Sequence, residues 1–383
     1  MIFSPKYRFS TPFAKLELSY AIRNFGLGLI TLFVPIYLLE KGFVFNQVVL
    51  YYCTYLLAFI FFTAVIGFVS RIIKFKWLMM AHYPLYFISY LSLYLFANSF
   101  ANLLIIAAIT GISSALFWLG HHLMFRMFSS HNHRGLNVGI DRNSKELTKS
   151  SATMLGGLII GLFNPGSLFL VSGIIFISAS IPLCFVPHIN TSFEPRYLMR
   201  IGDRVDGQIM KFWFTHGLID IVVSFTWPIF IYLTIAKQYE IIGLLSGISL
   251  VALLIENLTT GELYDRGKRV FIRIGALATS ILYTLMFFAG SLLHAVGINL
   301  FKSFVIDMYT VPMIAQMYND SEKTEHLMDF FIKQELVINC TKLLSVAILL
   351  LLPDIKYVFV ISALILFLLI VIEYKAPKDI LIK

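Results

Sequence analysis

Twelve apolar stretches, each about the length a helix needs to cross a bilayer, run through this 383-residue chain with only short polar turns between them. They fall near 17–39, 48–70, 77–97, 101–125, 138–163 and 167–187, then near 211–235, 240–260, 270–291, 295–318, 328–352 and 356–374. Charged residues make up 13% of the chain and hydrophobic ones 58%. A soluble domain carries about 25% charged residues, so a water-soluble globule is excluded. In hydrocarbon every backbone polar group must be satisfied inside its own segment, and the stretches are long enough to do this as helices. The predicted class is therefore an all-α polytopic membrane protein.

The net charge of +9 does not indicate nucleic acid, because the basic residues sit in short loops and form no continuous stripe. Their placement sets an orientation instead. Of 30 Lys and Arg, only Lys41, Lys237 and Lys356 lie in loops on one side, and Arg23, Lys302 and Lys342 lie inside spans. The other 24 are assigned to the N-terminus, the even-to-odd turns, the C-terminus and the adjoining helix ends. The positive-inside rule then places both termini in the cytoplasm of a multi-pass plasma (inner) membrane protein. No small-residue cleavage site follows the first polar residues, so the first span is expected to stay in the mature chain. Cys53, Cys184 and Cys340 are far apart within apolar spans and read as small apolar residues.

A polar stretch, 188–210, divides the spans six and six, giving expected units 1–187 and 211–383 joined by a linker. The two sets repeat at an offset of 193 residues. Pro35 falls on Pro228, Arg23 on His216, Lys149 on Lys342 and Arg142 on Glu335, while Gly67 falls one residue from Gly261. Parallel repeats of this kind build one class of secondary transporters.

Between two apolar stretches runs Gly261-Glu262-Leu263-Tyr264-Asp265-Arg266-Gly267-Lys268-Arg269. It resembles the G-x-x-x-D-R-x-G-R-R loop of the major facilitator superfamily, one residue short between Arg266 and Gly267. The first-half counterpart, Gly67 to Lys76, is degenerate and has Arg71 where the pattern has Asp. The 155–158 run Leu-Gly-Gly-Leu with Gly161 resembles the family's glycine-rich antiporter motif without its proline. The resemblance covers essentially the whole chain. It implies two six-helix bundles, a cavity lined by helices 1, 4, 7 and 10, an interface built by helices 2, 5, 8 and 11 (on which Lys149 and Lys342 fall), and the signature turn on the cytoplasmic side.

Charge inside a bilayer costs at least about 2.5–3.5 kcal/mol per residue on insertion scales and therefore marks candidate sites. His216 and Asp220 are four apart, on one helical face, and form a candidate proton-coupling pair. Arg23 is a candidate for an anionic substrate group, with snorkelling to the headgroups as its structural alternative. Asp307 lies near the middle of its span. Trp118 and Trp227, on implied cavity helices, are candidates for stacking on a flat ligand, with packing as the alternative. For the cytoplasmic gate the expectation is two cross pairs, Asp265 with Arg142 and Arg71 with Glu335, beside the basic residues Arg266, Lys268 and Arg269. His121, His122, His131 and His133 lack an accompanying carboxylate or cysteine cluster, so no metal is expected.

No GxxxxGK[ST], GxSxG, HExxH or strand-borne GxGxxG signature is present, so neither an enzyme nor an ATP-driven pump is indicated, and no cofactor is implied. The expected function is secondary transport of a small organic solute by alternating access, with the proton as candidate coupling ion. Efflux of an amphipathic compound is placed first, on the aromatic-rich cavity helices. Sugar or metabolite uptake, a lipid flippase on the same scaffold, and a polytopic membrane enzyme are the alternatives. The expected partners are the solute and the lipid bilayer, with the chain a monomer.

Overall fold

The computed structural model describes residues 11–70, 72–162, 165–187, 207–248, 250–267, 270–324 and 326–372. Among them the chain forms helical rods joined by tight turns, with no strand. In chain order these are α1 (Pro12–Glu40), α2 (Phe45–Val69), α3 (Phe75–Phe96), α4 (Phe100–Phe128), α5 (Arg134–Leu162) and α6 (Gly166–Cys184). They continue as α7 (Gly207–Thr234), α8 (Tyr239–Ile248 and Leu250–Asp265), α9 (Val270–Phe287), α10 (Leu292–Asp320), α11 (Leu327–Ile348) and α12 (Tyr357–Ile372). Six of the rods are long and apolar enough to cross a membrane by length and composition alone. The α5 and α11 rods are not among them, because each carries a row of charged residues that lowers its apolarity. Of the expected linker, 188–206 lies outside the described residues, while Gly207–Met210 already belongs to α7.

Local chemistry starts and breaks the rods where the sequence requires. Thr11, Ser99 and Ser291 each accept a backbone N–H at a helix start, satisfying one of the orphaned donors there. The equivalent prolines Pro35 and Pro228 sit near the start of a fresh helical segment within α1 and α7. Each lacks the N–H that would continue the preceding ladder, and the helix is interrupted just before it. In α7 the interruption is a five-residue π turn, Val222–Thr226, which begins two residues after Asp220. Such turns cluster where a side chain must be re-aimed.

The rods α1 to α6 pack on one another through α1–α5, α2–α4, α3–α4 and α3–α6, and the rods α7 to α12 through α9–α10, α9–α12, α7–α11 and α8–α10. The two sets meet where α5 packs on α8 and α10, and where α2 and α4 pack on α11. With little hydrophobic force between helices in lipid, association rests on close packing and inter-helix hydrogen bonds worth about 0.6 kcal/mol each on average. Ser19 to Tyr83 (2.8 Å) and Thr215 to Tyr309 (2.7 Å) are two such bonds.

Candidate functional site

The α5 rod has an unusual face. Arg142, Lys145, Glu146, Lys149 and Thr153 recur at the three- and four-residue steps that bring side chains onto one side of a helix, and all five line a cavity of about 120 Å³. His216, Asp220 and Ser224 of α7 line it from across the gap, as do Lys302, Ser303, Asp307 and Thr310 of α10. Ser246 of α8 and Leu32 of α1 complete the wall. The chamber thus lies between one face of α5 and the second set of rods.

Most of its charges are matched. The Arg142 guanidinium donates from Nε (3.1 Å) and a terminal nitrogen (2.5 Å) to Asp307 Oδ1. The Thr310 hydroxyl donates to the same oxygen at 2.7 Å. Glu146 lies 3.7 Å from both Arg142 and Lys145. Asp220 is held by Lys342 of α11 at 2.6 Å. Lys149 and Lys302 make no salt bridge within 4 Å among the described residues, although the charge of Glu146 reaches both, and the side chain of Glu256 on α8 is outside them. Among the described side chains, five cations (Arg142, Lys145, Lys149, Lys302, Lys342) stand against three carboxylates (Glu146, Asp220, Asp307) around this space. With His216 neutral, the chamber is net positive in a low-dielectric surround, where an excess charge acts strongly on a solute.

His216 and Asp220 both reach the chamber, as their spacing predicts, but Asp220 is committed to Lys342, and His216 Nδ1 is buried without a hydrogen-bond partner. Arg23 does not reach it. Its Nε donates to His82 Nε2 at 3.0 Å, and its guanidinium lies 3.6 Å from the Phe117 ring centre, inside the α1–α3–α4 packing. The expectation that Arg23 meets an anionic substrate group is therefore corrected, and so is its alternative of snorkelling to the headgroups. On α1 the Arg23 side is turned into its own bundle, and α5 supplies the cations instead. Trp118 stacks on His122 (5.6 Å), and Trp227, 1% exposed, stacks on Phe230 (5.7 Å); neither lines the chamber. Lys149, expected at the interface, faces the chamber, while Lys342 reaches its rim through Asp220. Arg142, Lys145 and Lys149 thus carry site charge rather than the loop charge counted in the positive-inside bias.

At the end carrying the signature turn the expected cross pairs are replaced by others. Asp265 accepts the backbone N–H of Gly135 (2.8 Å) and of Leu136 (2.9 Å) at the start of α5. Arg142 is eight residues into that helix, roughly 12 Å along its axis, too deep for a turn residue to reach. Glu335 accepts from His122 Nε2 at 2.8 Å, and Tyr318 meets His122 Nδ1 at 2.8 Å. Arg71, Lys268 and Arg269 lie outside the described residues. Arg266 is exposed and pairs with Glu262 at 2.6 Å on its own helix. A Cβ built on Gly135 falls 2.3 Å from the Gly261 carbonyl oxygen, and one on Gly261 falls 2.4 Å from that of Gly135. The two backbones therefore touch directly. Arg134, 1% exposed, donates to Glu322 beyond α10 and to the Ser129 hydroxyl. At the opposite end Glu40 accepts from Tyr232 (3.0 Å) and Tyr239 (2.6 Å), tying α1 to α7 and α8.

The family model of the Major Facilitator Superfamily matches residues 16–196. That match takes in nearly all of the first six rods, a little under half of the chain. Its fold is that of solved transporters along nearly its whole length. A bacterial homologue of the iron transporter ferroportin in an outward-facing state aligns at TM-score 0.71 and 14% identity, covering 94% of this chain and 98% of that one. The human organic anion transporter MFSD10 (TETRAN) aligns at 0.69 and 12%, with 94% and 98% covered. FucP in its outward conformation aligns at 0.67 and 11%, with 94% and 97% covered. At these identities the likeness carries the fold alone. Compared by sequence with curated proteins, the chain matches none. No cluster of three or more His, Cys, Asp or Glu side chains able to hold a metal occurs among the described residues.

Proposed function

We propose that this superfamily member carries a small organic anion by alternating access, with the chamber between α5 and α7, α8 and α10 as its binding site. The observation that carries this reading is the pair of lysines, Lys149 and Lys302, facing the chamber with no salt bridge among the described residues, the one carboxylate near both, Glu146, being shared with Arg142 and Lys145. A buried charge without a partner is costly unless a ligand supplies one. An anion bridging the two lysines contacts both sets of rods, since Lys149 is on α5 and Lys302 on α10, which is what a solute must do to favour a state in which the sets are closed together. The charged lining supports an anionic solute ahead of an amphipathic aromatic one, since neither Trp118 nor Trp227 lines the chamber. The positive-inside bias supports the signature turn and both termini facing the cytoplasm of a plasma membrane.

The test is a thermal-shift screen of the purified protein against carboxylates, sulfonates and phosphate esters, with neutral sugars and cationic dyes beside them. An anion is expected to stabilise the protein. Lys149→Gln and Lys302→Gln should each weaken its binding about tenfold or more, the scale of one lost charged hydrogen bond. Stabilisation by neutral or cationic compounds, unaltered in both variants, would refute the reading.

A further inference from the structure

A second group of ionisable side chains lies away from the chamber, inside the first set of rods. We propose that Glu17 of α1, Asp141 of α5 and His121 of α4 form a proton-binding site that holds the coupling proton of this transporter. Glu17 is 6% exposed, and its carboxylate has only the Ser144 hydroxyl of α5 approaching it, outside strict hydrogen-bond geometry. The charge of Asp141 acts on it across the α1–α5 packing. Asp141 is met by His121 Nε2 at 3.3 Å, and the other ring nitrogen of His121 is buried without a partner. Tyr20 stacks on that imidazole at 4.4 Å and fixes its plane.

Two carboxylates in the packed interior, with no Lys or Arg ion pair to either among the described residues, cannot both stay ionised at small cost. The surrounding charges do not relieve them. From α1 come Tyr20 and Arg23, and Arg23 is engaged by His82 and Phe117. From α5 comes Arg142, engaged by Asp307. From α4 comes His122, engaged by Glu335 and Tyr318; from α10 comes Tyr318 itself; and α6 offers only the exposed Cys184. One proton taken from water by either carboxylate halves the buried negative charge of the pair. Asp141 is the point of arrival, its side chain being 15% exposed against 2% for His121.

The link to transport is the next residue. Asp141 and Arg142 are neighbours on α5, about 100° apart around the axis. The first faces α1 and α4, and the second reaches across to Asp307 on α10. A proton on Asp141 removes a negative charge that competes for Arg142, and so strengthens its hold on Asp307. Protonation inside one set of rods thereby favours closure against the other.

The site is tested without any substrate, so its failure and that of the anion reading are separate. Infrared difference spectra of the purified protein across a pH series should show a protonated-carboxyl C=O band. Glu17→Gln should abolish its titration, Asp141→Asn should shift it, and Glu17→Asp should retain it. In parallel, Ser150→Cys places a thiol in the chamber wall, in a background lacking Cys53, Cys184 and Cys340. Its labelling rate should follow pH as the band does, and lose that dependence with Glu17→Gln. A band and a labelling profile unchanged in Glu17→Gln and Asp141→Asn would overturn the proposal. So would a band displaced by sodium at fixed pH, which would make the group a cation site. So would pH-dependent labelling that survives Glu17→Gln but disappears in His216→Ala, which would move coupling into the chamber.

Discussion

Arg142→Gln is expected to destabilise the protein by about 3–5 kcal/mol, the scale of breaking a buried ion pair by removing one partner. Asp307, 3% exposed, would keep only the Thr310 hydroxyl among the contacts its Oδ1 now makes. Asp307→Asn should be milder, because Arg142 retains Glu146 at 3.7 Å. The charge swap Arg142→Asp with Asp307→Arg should recover much of the loss, and the double replacement by Met and Leu should recover stability without function. That separation follows from the physics of buried pairs: an apolar pair of similar volume is often as stable as the ions, but it cannot respond to a neighbouring charge. Thermal unfolding in detergent measures the first quantity and chamber-thiol labelling the second. If Arg142→Gln unfolds at the wild-type temperature, the pair is not the tie between α5 and α10 described above.

The fold was legible because the bilayer imposes a coarse rule. Every crossing needs about 20 residues of self-satisfied backbone, and the prolines, glycines and basic turns mark where crossings end. The repeat offset of 193 residues was legible for the same reason: Pro35 and Pro228 interrupt α1 and α7 at matching points. The site was only partly legible. His216, Asp220 and Asp307 stood out as charges within apolar spans, and all three line the chamber. Lys145 and Glu146 were passed over because they lie among other polar residues near one end of α5, although their spacing from Arg142 and Lys149 puts them on one face. Pairings were the least legible. Arg142 and Glu335 are equivalent in sequence, yet one meets a carboxylate on α10 and the other a histidine on α4, since equivalence under a repeat fixes depth in the membrane and not the partner. Arg23 shows the same limit. A charge in a span must be satisfied, but rotation about the helix axis decides whether by a solute or, as here, by His82 and an aromatic face.

The contact between the signature turn and the start of α5 is expected to act as the latch on the cytoplasmic side, and it can be opened in two independent ways. Asp265 holds two backbone N–H groups that the first turn of a helix leaves without partners, and its charge opposes the positive end of the helix dipole. Hydrogen bonds to a charged group contribute about 1.5–3 kcal/mol each, and a bias of about 1.4 kcal/mol already shifts a two-state ratio tenfold. Asp265→Ala should therefore raise the labelling rate of the Ser150→Cys thiol from the cytoplasmic side by about tenfold or more. Gly135→Val should do the same by steric means, since even a Cβ there would lie 2.3 Å from the Gly261 carbonyl oxygen and the two backbones must part to admit it. Arg266→Gln is the contrast. Its side chain pairs only with Glu262 on the same exposed helix end, an interaction of about 0.3–0.5 kcal/mol, so labelling should change by no more than about twofold. Equal rates for the parent, Asp265→Ala and Gly135→Val would show that this contact is not what closes the chamber. A large effect of Arg266→Gln would show that the arginine of the signature, and not its aspartate, carries the closure.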